Sequence, residues 1–203
     1  MARARPDTKS NQTWGLFGGT FDPIHHGHLI SAQYVAETCE LDQVLFIPTG
    51  NPPHRETPKT PAACRLNMVK DSIEDHPWFD ISTIEIDRKG PCYTVHTIQE
   101  LTEKLPDHEF NLIIGEDELI SFTEWKNWQE ILEHTTLLAM TRPGFNKKNI
   151  PGPVKEHVEL LSGPQIEISG KKIRQRVRDN QPIHYLVPPV VRQRIKKENL
   201  YRG

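Results

Sequence analysis

The sequence predicts an α/β fold built on a parallel β-sheet. Residues 13–17 and 43–47 are apolar runs of strand length, and the segment between them carries apolar residues at helical spacing: Leu29, Ala32, Ala36 and Cys39. A helix with one such apolar face packs against a sheet. A strand, a helix and a strand of these lengths form a right-handed βαβ unit, whose two strands run parallel.

The same alternation continues toward the C-terminus. Apolar spacing predicts further helices over 62–73, over 94–105 with Thr94 as the N-cap, and after Ser169. Strands are predicted at 80–86, 110–114, 136–141 and 165–168, and residues 145–163 are predicted to be a turn-rich connection. The parallel sheet should therefore extend through most of the chain.

Length and composition limit the class of protein. At 203 residues the chain suits one domain over residues 13–203, preceded by a polar leader over residues 1–12 that we expect to be disordered. The leader lacks the apolar core of a secretory signal, and no apolar run reaches the ~20 residues of a membrane span. Three widely spaced cysteines without a CxxC motif favour reduced thiols in the cytoplasm over a disulfide frame or a zinc site.

Charge is distributed unevenly along the chain. The formal net charge of −2 implies no general attraction to nucleic acid or to an anionic membrane. Residues 171–203 nevertheless hold ten basic and two acidic residues. This basic segment either lines an anion site or forms the solvated faces of two helices, and the second reading accounts for most of the charges.

Residues 15–28 combine several features that suit phosphate binding. A predicted strand ends in Gly18-Gly19, which lacks Cβ atoms and lets a phosphate approach the backbone. The following helix directs unpaired N–H groups and the positive end of its dipole toward that turn. His25 and His28 flank Gly27, are placed to donate to the same anion, and carry imidazoles that ordinarily titrate near neutral pH. Each feature alone is common, but their co-occurrence favours a binding site.

This motif resembles the T/HxGH signature of the nucleotidyltransferase superfamily. Other elements narrow the resemblance to the bacterial nicotinate mononucleotide adenylyltransferases: a Pro-Pro-His-Arg loop at 52–55, the pair Tyr93-Thr94, an aromatic at Trp125 and Arg-Pro-Gly at 142–144. The resemblance runs from Thr13 to the C-terminus. It implies a Rossmann-like, doubly wound parallel sheet in a three-layer α/β/α arrangement.

The resemblance also implies roles for individual residues. It assigns the catalytic phosphate contacts to His25, His28 and Arg174. The resemblance and the residues themselves together place ATP on Gly18, Gly19, Thr20, Phe21, Gly27, Gly115, Asp117, Ser169 and Lys171, although Gly115 and Asp117 also suit a generic αβ corner. The resemblance places the second substrate, nicotinate mononucleotide, on His54, Arg55, Tyr93, Thr94, Trp125 and Arg142. Tyr93 and Trp125 also suit ordinary core positions, so both readings stay open for these two.

The second phosphate element departs from the family pattern, in which Ile-Ser-Ser-Thr precedes an arginine. Gly170 and Lys171 stand in place of the second serine and the threonine, so two hydroxyl donors are absent. Glycine leaves a bare backbone N–H, and lysine adds a point charge. Our hypothesis is that Lys171 or Lys172 substitutes for the missing donors, while Arg174 remains the main phosphate contact.

The resemblance implies transfer of AMP from ATP to nicotinate mononucleotide, giving nicotinate adenine dinucleotide and pyrophosphate in NAD biosynthesis. Mg²⁺ that bridges ATP phosphates is the expected cofactor, without a protein metal site. The alternatives are a sibling transferase acting on phosphopantetheine or a cytidine nucleotide, and a non-catalytic nucleotide or RNA binder. The sequence predicts no nucleic-acid or membrane partner, and it is compatible with a homo-oligomer and with either the acid or the amide form of the pyridine.

Overall fold

The computed structural model describes residues 12–52, 60–142, 144–164 and 166–202. Six strands form its sheet: β1 (Thr13–Gly19), β2 (Gln43–Pro48), β3 (Phe79–Ile81), β4 (Glu109–Gly115), β5 (Thr135–Met140) and β6 (Val158–Leu161). Their order is β3-β2-β1-β4-β5-β6, and every neighbouring pair is parallel. The predicted parallel sheet is confirmed.

Seven α-helices lie within the described ranges: α1 (His26–Thr38), α2 (Ala62–Ile73), α3 (Thr94–Lys104), α4 (Glu116–Ile120), α5 (Trp128–His134), α6 (Gly170–Arg178) and α7 (Pro189–Lys197). Short 3₁₀ turns occupy Phe122–Glu124, Lys147–Asn149 and Gly152–His157. None of these helices has both the length and the apolar composition for crossing a bilayer. The three cysteines, all within the described ranges, are free thiols.

Helices cover both faces of the sheet. In β2, Val44 and Phe46 belong to a core cluster with residues of α1, α2, α6 and α7. Leu45 and Ile47 belong to a second cluster with residues of α3 and α5. Because both faces are buried, this strand is an uninterrupted apolar run in the sequence. The expected three-layer, doubly wound arrangement is confirmed.

The winding of the chain reverses between β1 and β4, which are neighbours in the sheet. One half of the sheet extends from β1 through β2 to β3, and the other from β4 through β5 to β6. Loops that leave β1 and β4 therefore separate at the carboxyl edge and open a crevice there, which is where ligands bind in folds of this kind. The motif at 15–28 lies at this point.

Two predicted strands are wrong. The strand predicted at 80–86 is only the three-residue β3, because the Thr83 hydroxyl donates to Asp87 and the Asp87 N–H donates to the Thr83 carbonyl, closing a turn. The last strand is β6, within the segment predicted as a turn-rich connection, and the described residues 166–168 form no strand. A four-residue strand among turn-forming residues leaves too short an apolar run to be recognised.

Two local assignments also differ. Tyr93, not Thr94, is the N-cap of α3, and Thr94 is the first helical residue. Gln12, assigned to the leader, is tied to the sheet, since its carbonyl accepts a hydrogen bond from the Glu109 N–H at 2.9 Å. The rest of the predicted leader lies outside the described residues.

Candidate active site

A cavity of about 400 Å³ opens at the carboxyl edge of the sheet, a size that suits a small organic ligand. Its floor is formed by strand ends and its walls by the start of α3 and the segment around α4. The residues lining it include Gly18, Gly19 and Thr20 after β1, Tyr93 and Thr94 at α3, and Glu118, Trp125 and Lys126 from α4 onward.

His25 and His28 form a stacked pair at the N-terminus of α1. Their ring centroids are 3.6 Å apart and their planes differ by 17°. His25 is only 5% exposed, whereas His28 is partly exposed. We expected both rings to face an anion as donors, but His25 is almost fully buried and His28 is the more accessible of the two. The pair adjoins the turn after β1 without lining the cavity.

The hydrogen bonds of the two rings fix the donor of His28. The backbone N–H of His25 donates to Nδ1 of His28 at 3.3 Å. In neutral His28 the proton therefore lies on Nε2, which becomes the available donor. Nδ1 of His25 is buried and has no hydrogen-bond partner in the described part of the chain. A buried nitrogen without a hydrogen bond lowers the stability of the fold unless a ligand or a water molecule supplies the partner.

Burial makes both imidazoles weak bases. Burial, and then the neighbouring His26, lower the pKa of His25 to about 4. Burial, and then His25, hold the pKa of His28 well below its ordinary value of 6.5. Two stacked imidazolium rings would also repel each other. The expected titration near neutral pH is therefore wrong for the free protein, in which both rings are neutral at pH 7.

The glycines around these rings serve different purposes. A Cβ on Gly27 would lie 3.0 Å from Nδ1 of His25, so the ring of His25 occupies the space that a side chain would need. A Cβ on Gly18 would meet nothing within 4 Å, so the space above it is open to a ligand. Phe21, which has a left-handed φ of 47°, is 2% exposed. Its ring belongs to the core, and only its backbone remains for ATP.

Asp22 connects the segment 18–28, here called the histidine loop, to two distant parts of the chain. One carboxylate oxygen of Asp22 accepts a hydrogen bond from the Tyr201 hydroxyl at 2.6 Å. The Asp22 carbonyl accepts one from Nη1 of Arg174 at 2.5 Å, and the same Nη1 lies 3.9 Å from the other carboxylate oxygen. The Arg174 side chain keeps 32% of its surface exposed. Arg174 is thereby held beside the loop with part of its guanidinium accessible.

The N-terminus of α6 packs against the same loop. Ser169 is confirmed as its N-cap, since its hydroxyl accepts a hydrogen bond from the Lys172 N–H at 3.2 Å. A Cβ on Gly170 would lie 2.8 Å from the Asp22 carbonyl oxygen, so a glycine is what allows this contact. Lys171 and Lys172 are exposed, and neither side chain has a partner within the described ranges. Both lysines are therefore available to an anion at the loop.

Arg65 is a buried cation that the sequence reading missed. It is 1% exposed, and its guanidinium donates to the carbonyls of Thr20 at 2.6 Å, Thr49 at 2.7 Å and Thr60 at 3.3 Å. These carbonyls belong to the loop after β1, the loop after β2 and the entry to α2. Burial lowers the pKa of Arg65 and the nearby Asp22 raises it. Arg65 therefore fixes two walls of the crevice relative to each other.

The remaining predicted residues do not all lie at the cavity. Tyr93, Thr94 and Trp125 line the cavity together. Asp117 and the side chain of Arg142 are exposed and lie outside the lining, whereas Glu118 lies in it. Gly115 caps α4 and donates its N–H to Glu118 at 3.1 Å. His54 and Arg55 fall outside the described residues.

Some of these contacts had a signal in the sequence. Arg65 lies one turn before Val69 on the buried face of α2, and a basic residue on an apolar helix face is a recognisable anomaly. Asp22 is part of the motif at 15–28. Tyr201 had no signal, because nothing in its own neighbourhood indicates a partner 179 residues away.

A loop of glycines and histidines at the switch point of a doubly wound sheet, with an adjoining cavity lined by aromatics, is the arrangement that the resemblance to nucleotidyltransferases implies. Comparison with known proteins agrees. The family model described as cytidylyltransferase-like matches residues 16–176. A probable nicotinate-nucleotide adenylyltransferase of Corynebacterium kroppenstedtii is 43% identical over 189 residues, which cover 92% of this chain and 90% of the relative.

Another relative with the same description, from Geobacillus thermodenitrificans, is 44% identical and covers 92% of this chain and 85% of its own. The solved nicotinic acid mononucleotide adenylyltransferase of Plasmodium falciparum, complexed with NaAD, shares the fold with a TM-score of 0.77 at 17% identity. That match covers 94% of this chain and 97% of the other. The chain therefore belongs to the nicotinate-nucleotide adenylyltransferase family.

The buried His25 predicts a specific dependence of stability on pH. Because its pKa is lowered to about 4 in the folded state, the unfolded chain binds more protons between pH 4 and 6.5. The contribution of neutral His25 to the free energy of unfolding is complete above pH 6.5 and declines by up to about 3 kcal/mol as the pH falls toward 4. Urea unfolding across this range should show a smaller pH slope in His25→Gln. His157→Gln, at an exposed histidine, is the control, and an unchanged slope in His25→Gln would contradict the assignment.

The buried guanidinium of Arg65 predicts a large effect of its removal on the stability of the fold. Arg65→Met leaves three carbonyls without their donor and should lower the free energy of unfolding by about 3–5 kcal/mol. Arg65→Lys keeps the charge but loses the planar fork, so we expect an intermediate value. Lys70→Met, at an exposed position of the same helix, should change it by less than about 0.5 kcal/mol. Equal stabilities for Arg65→Met and Lys70→Met in urea unfolding would refute this.

Proposed function

We propose that this protein transfers AMP from ATP to nicotinate mononucleotide, giving nicotinate adenine dinucleotide and pyrophosphate. The observation that carries the proposal is the contact between Asp22 and Arg174. This contact joins the histidine loop to α6, where the second phosphate element lies, beside a cavity that Tyr93 and Trp125 line. A triphosphate at the loop and a pyridine nucleotide in the cavity would then meet at the turn after β1. A cytoplasmic location belongs to the same proposal and is supported by the free thiols.

The proposed reaction needs no protein nucleophile. A phosphate oxygen of the mononucleotide attacks the α-phosphorus of ATP, and the bond from that phosphorus to the oxygen bridging to the β-phosphate breaks. The protein contributes alignment and stabilisation of charge. His28, through its Nε2–H, and His25 donate to oxygens of the α- and β-phosphates. Arg174 binds the leaving pyrophosphate.

Mg²⁺ accompanies ATP in this proposal. In the described part of the chain, no three His, Cys, Asp or Glu side chains are grouped so that they could hold a metal ion. The carboxylate of the histidine loop, that of Asp22, already accepts a hydrogen bond from the Tyr201 hydroxyl. These side chains do not fit a dedicated metal site. Phosphate oxygens and water are the ligands that Mg²⁺ would keep.

The altered phosphate element is compatible with catalysis. Gly170 is explained by the close approach of the Asp22 carbonyl, so the loss of a hydroxyl at this position has a packing reason. Lys171 and Lys172, on the first turn of α6, supply charge at the place where the family has hydroxyl donors. This removes the main reason for preferring a non-catalytic binder.

Pyrophosphate release tests the function directly. We expect turnover with ATP and nicotinate mononucleotide, and none when phosphopantetheine replaces the mononucleotide or when CTP replaces ATP. Release with one of those alone would identify the sibling transferase. Salt-dependent RNA binding without any release would identify the binder.

His28 should contribute to the rate more than to folding. His28→Ala removes the Nε2–H donor, and we expect kcat to fall by about 10²–10³, as for the loss of one donor in an oxyanion site. Circular dichroism should remain that of the folded protein. His26→Ala, two residues before His28 and likewise partly exposed, is the matched control. Near-normal turnover in His28→Ala would remove His28 from the mechanism.

The hypothesis that Lys171 or Lys172 replaces the missing hydroxyl donors can be tested with two double variants that remove the same charge at different places. Lys171→Ala with Lys172→Ala should weaken ATP binding about tenfold by calorimetry, and the difference should shrink at high salt. Lys196→Ala with Lys197→Ala, at two exposed lysines of α7, removes the same charge elsewhere and should leave the affinity within about twofold. Unchanged ATP binding in the first pair would end the hypothesis.

A further inference from the structure

The C-terminal end of the described chain returns to the histidine loop. α7 is tied to α2 by an ion pair of 2.6 Å between Arg194 and Asp71. Beyond α7, Tyr201 adopts a left-handed φ of 63°, which a bulky aromatic residue adopts only where its surroundings hold it there. Its ring packs against the core cluster, and its hydroxyl donates to Oδ1 of Asp22 at 2.6 Å. The segment after α7 therefore presents this hydroxyl to the histidine loop.

The two carboxylate oxygens of Asp22 have unequal contacts. Oδ1 accepts the hydrogen bond from Tyr201, whereas Oδ2 lies 3.9 Å from Nη1 of Arg174, well beyond the roughly 2.8 Å of a charge-assisted hydrogen bond. The same Nη1 donates instead to the backbone carbonyl of Asp22 at 2.5 Å. Arg174 is therefore bonded to the main chain of Asp22 without closing a hydrogen-bonded ion pair with the carboxylate.

Removal of the Tyr201 hydroxyl would change this arrangement. Because Asp22 is 9% exposed, water cannot freely replace a donor that Oδ1 loses, and the carboxylate must find another partner. Among the described residues, Arg174 is the cation within ion-pair distance of this carboxylate, at 3.9 Å. A rotation of the carboxylate toward Nη1 would close the pair. The guanidinium would then be engaged by Asp22 and less available to a phosphate.

We infer that Tyr201 is a positioning residue for the reaction, because its hydroxyl holds Asp22 so that Arg174 stays available to the leaving pyrophosphate. The inference rests on the proposed function, in which Arg174 binds that group. Tyr201 acts through Asp22 and touches neither substrate. Burial, and then Asp22, raise the pKa of Tyr201, so the hydroxyl keeps its proton and remains a donor at neutral pH.

This role has a kinetic signature. Negative charge on the pyrophosphate grows as its bond to the α-phosphorus breaks, so Arg174 contributes more in the transition state than in bound ATP. Loss of the Tyr201 hydroxyl should therefore lower kcat, leave KM for nicotinate mononucleotide unchanged, and act only while Arg174 is present. A residue that only stabilised the fold would produce the same factor with and without Arg174.

The test measures pyrophosphate release by Tyr201→Phe, which keeps the ring and removes only the hydroxyl. We expect kcat to fall about tenfold, a fraction of the roughly 10²–10³ lost with a complete donor. In an Arg174→Ala background, the same change should alter kcat by less than about twofold. Tyr34→Phe is the matched control, since it removes a hydroxyl that donates to the Ser162 carbonyl at 3.0 Å, and it should leave kcat unchanged.

A second measurement avoids turnover. Calorimetry with inorganic pyrophosphate should show weaker binding in Tyr201→Phe than in the unmodified protein, and no further weakening when Tyr201→Phe is added to Arg174→Ala. This comparison decides the question where Arg174→Ala turns over too slowly for kinetics.

Asp22→Asn separates competition for Arg174 from a general loosening of the loop. An amide has no charge with which to compete, so Tyr201→Phe with Asp22→Asn should have a higher kcat than Tyr201→Phe alone. An unchanged kcat in Tyr201→Phe, an equal loss with and without Arg174, or a double variant no faster than Tyr201→Phe would overturn the inference and leave the function intact. An unmodified protein that releases no pyrophosphate would refute the proposed function itself, and the inference with it.

Discussion

The site depends on one buried carboxylate. Asp22 is 9% exposed and lies between the Tyr201 hydroxyl and the Arg174 guanidinium, which come from segments 179 and 152 residues away. A carboxylate removed from water is stable only if it is paired and hydrogen-bonded. Burial and then Asp22 raise the pKa of Tyr201, so its hydroxyl keeps the proton that it donates. The contacts of Arg174 with Asp22 therefore help to fix the position of α6. In the same way, the buried guanidinium of Arg65 is paired with neighbouring backbone carbonyls.

The neutrality of the histidine pair has a consequence for the proposed reaction. A cationic pair would bind the triphosphate tightly before any reaction and contribute equally to the ground and transition states. Two neutral imidazoles bind the ground state less strongly, yet their N–H groups are already oriented by stacking and by the His25 N–H to His28 contact. Preoriented donors contribute most where negative charge develops during the reaction.

The sequence was sufficient for features written in consecutive residues. The parallel sheet and the N-cap at Ser169 each depend on spacing within about one element, and both are confirmed. Features that depend on contacts across the fold could not be read. The pairing of Tyr201 with Asp22, the depressed pKa of the stacked histidines and the contact of Lys126 with the Tyr93 ring all require knowing which distant residues meet. The prediction of a strand at 80–86 was wrong for a similar reason, because the hydrogen bonds between Thr83 and Asp87 outweigh a weak strand pattern.

The proposed reaction has two anionic substrates, whereas the described lining of the cavity holds three carboxylates and one lysine. With a net charge of −2, the chain as a whole attracts neither, so attraction must be local. Arg174, Lys171 and Lys172 lie on α6, where the triphosphate of the proposed reaction would bind, and Lys126 lies in the lining of the cavity. Between α6 and the cavity lie the turn after β1 and the two neutral imidazoles. In the proposed reaction, the cations of α6 would hold the part of ATP that does not react, which would orient its α-phosphate toward the imidazoles. Neutral donors at that point can then respond to charge that appears only as the new bond forms.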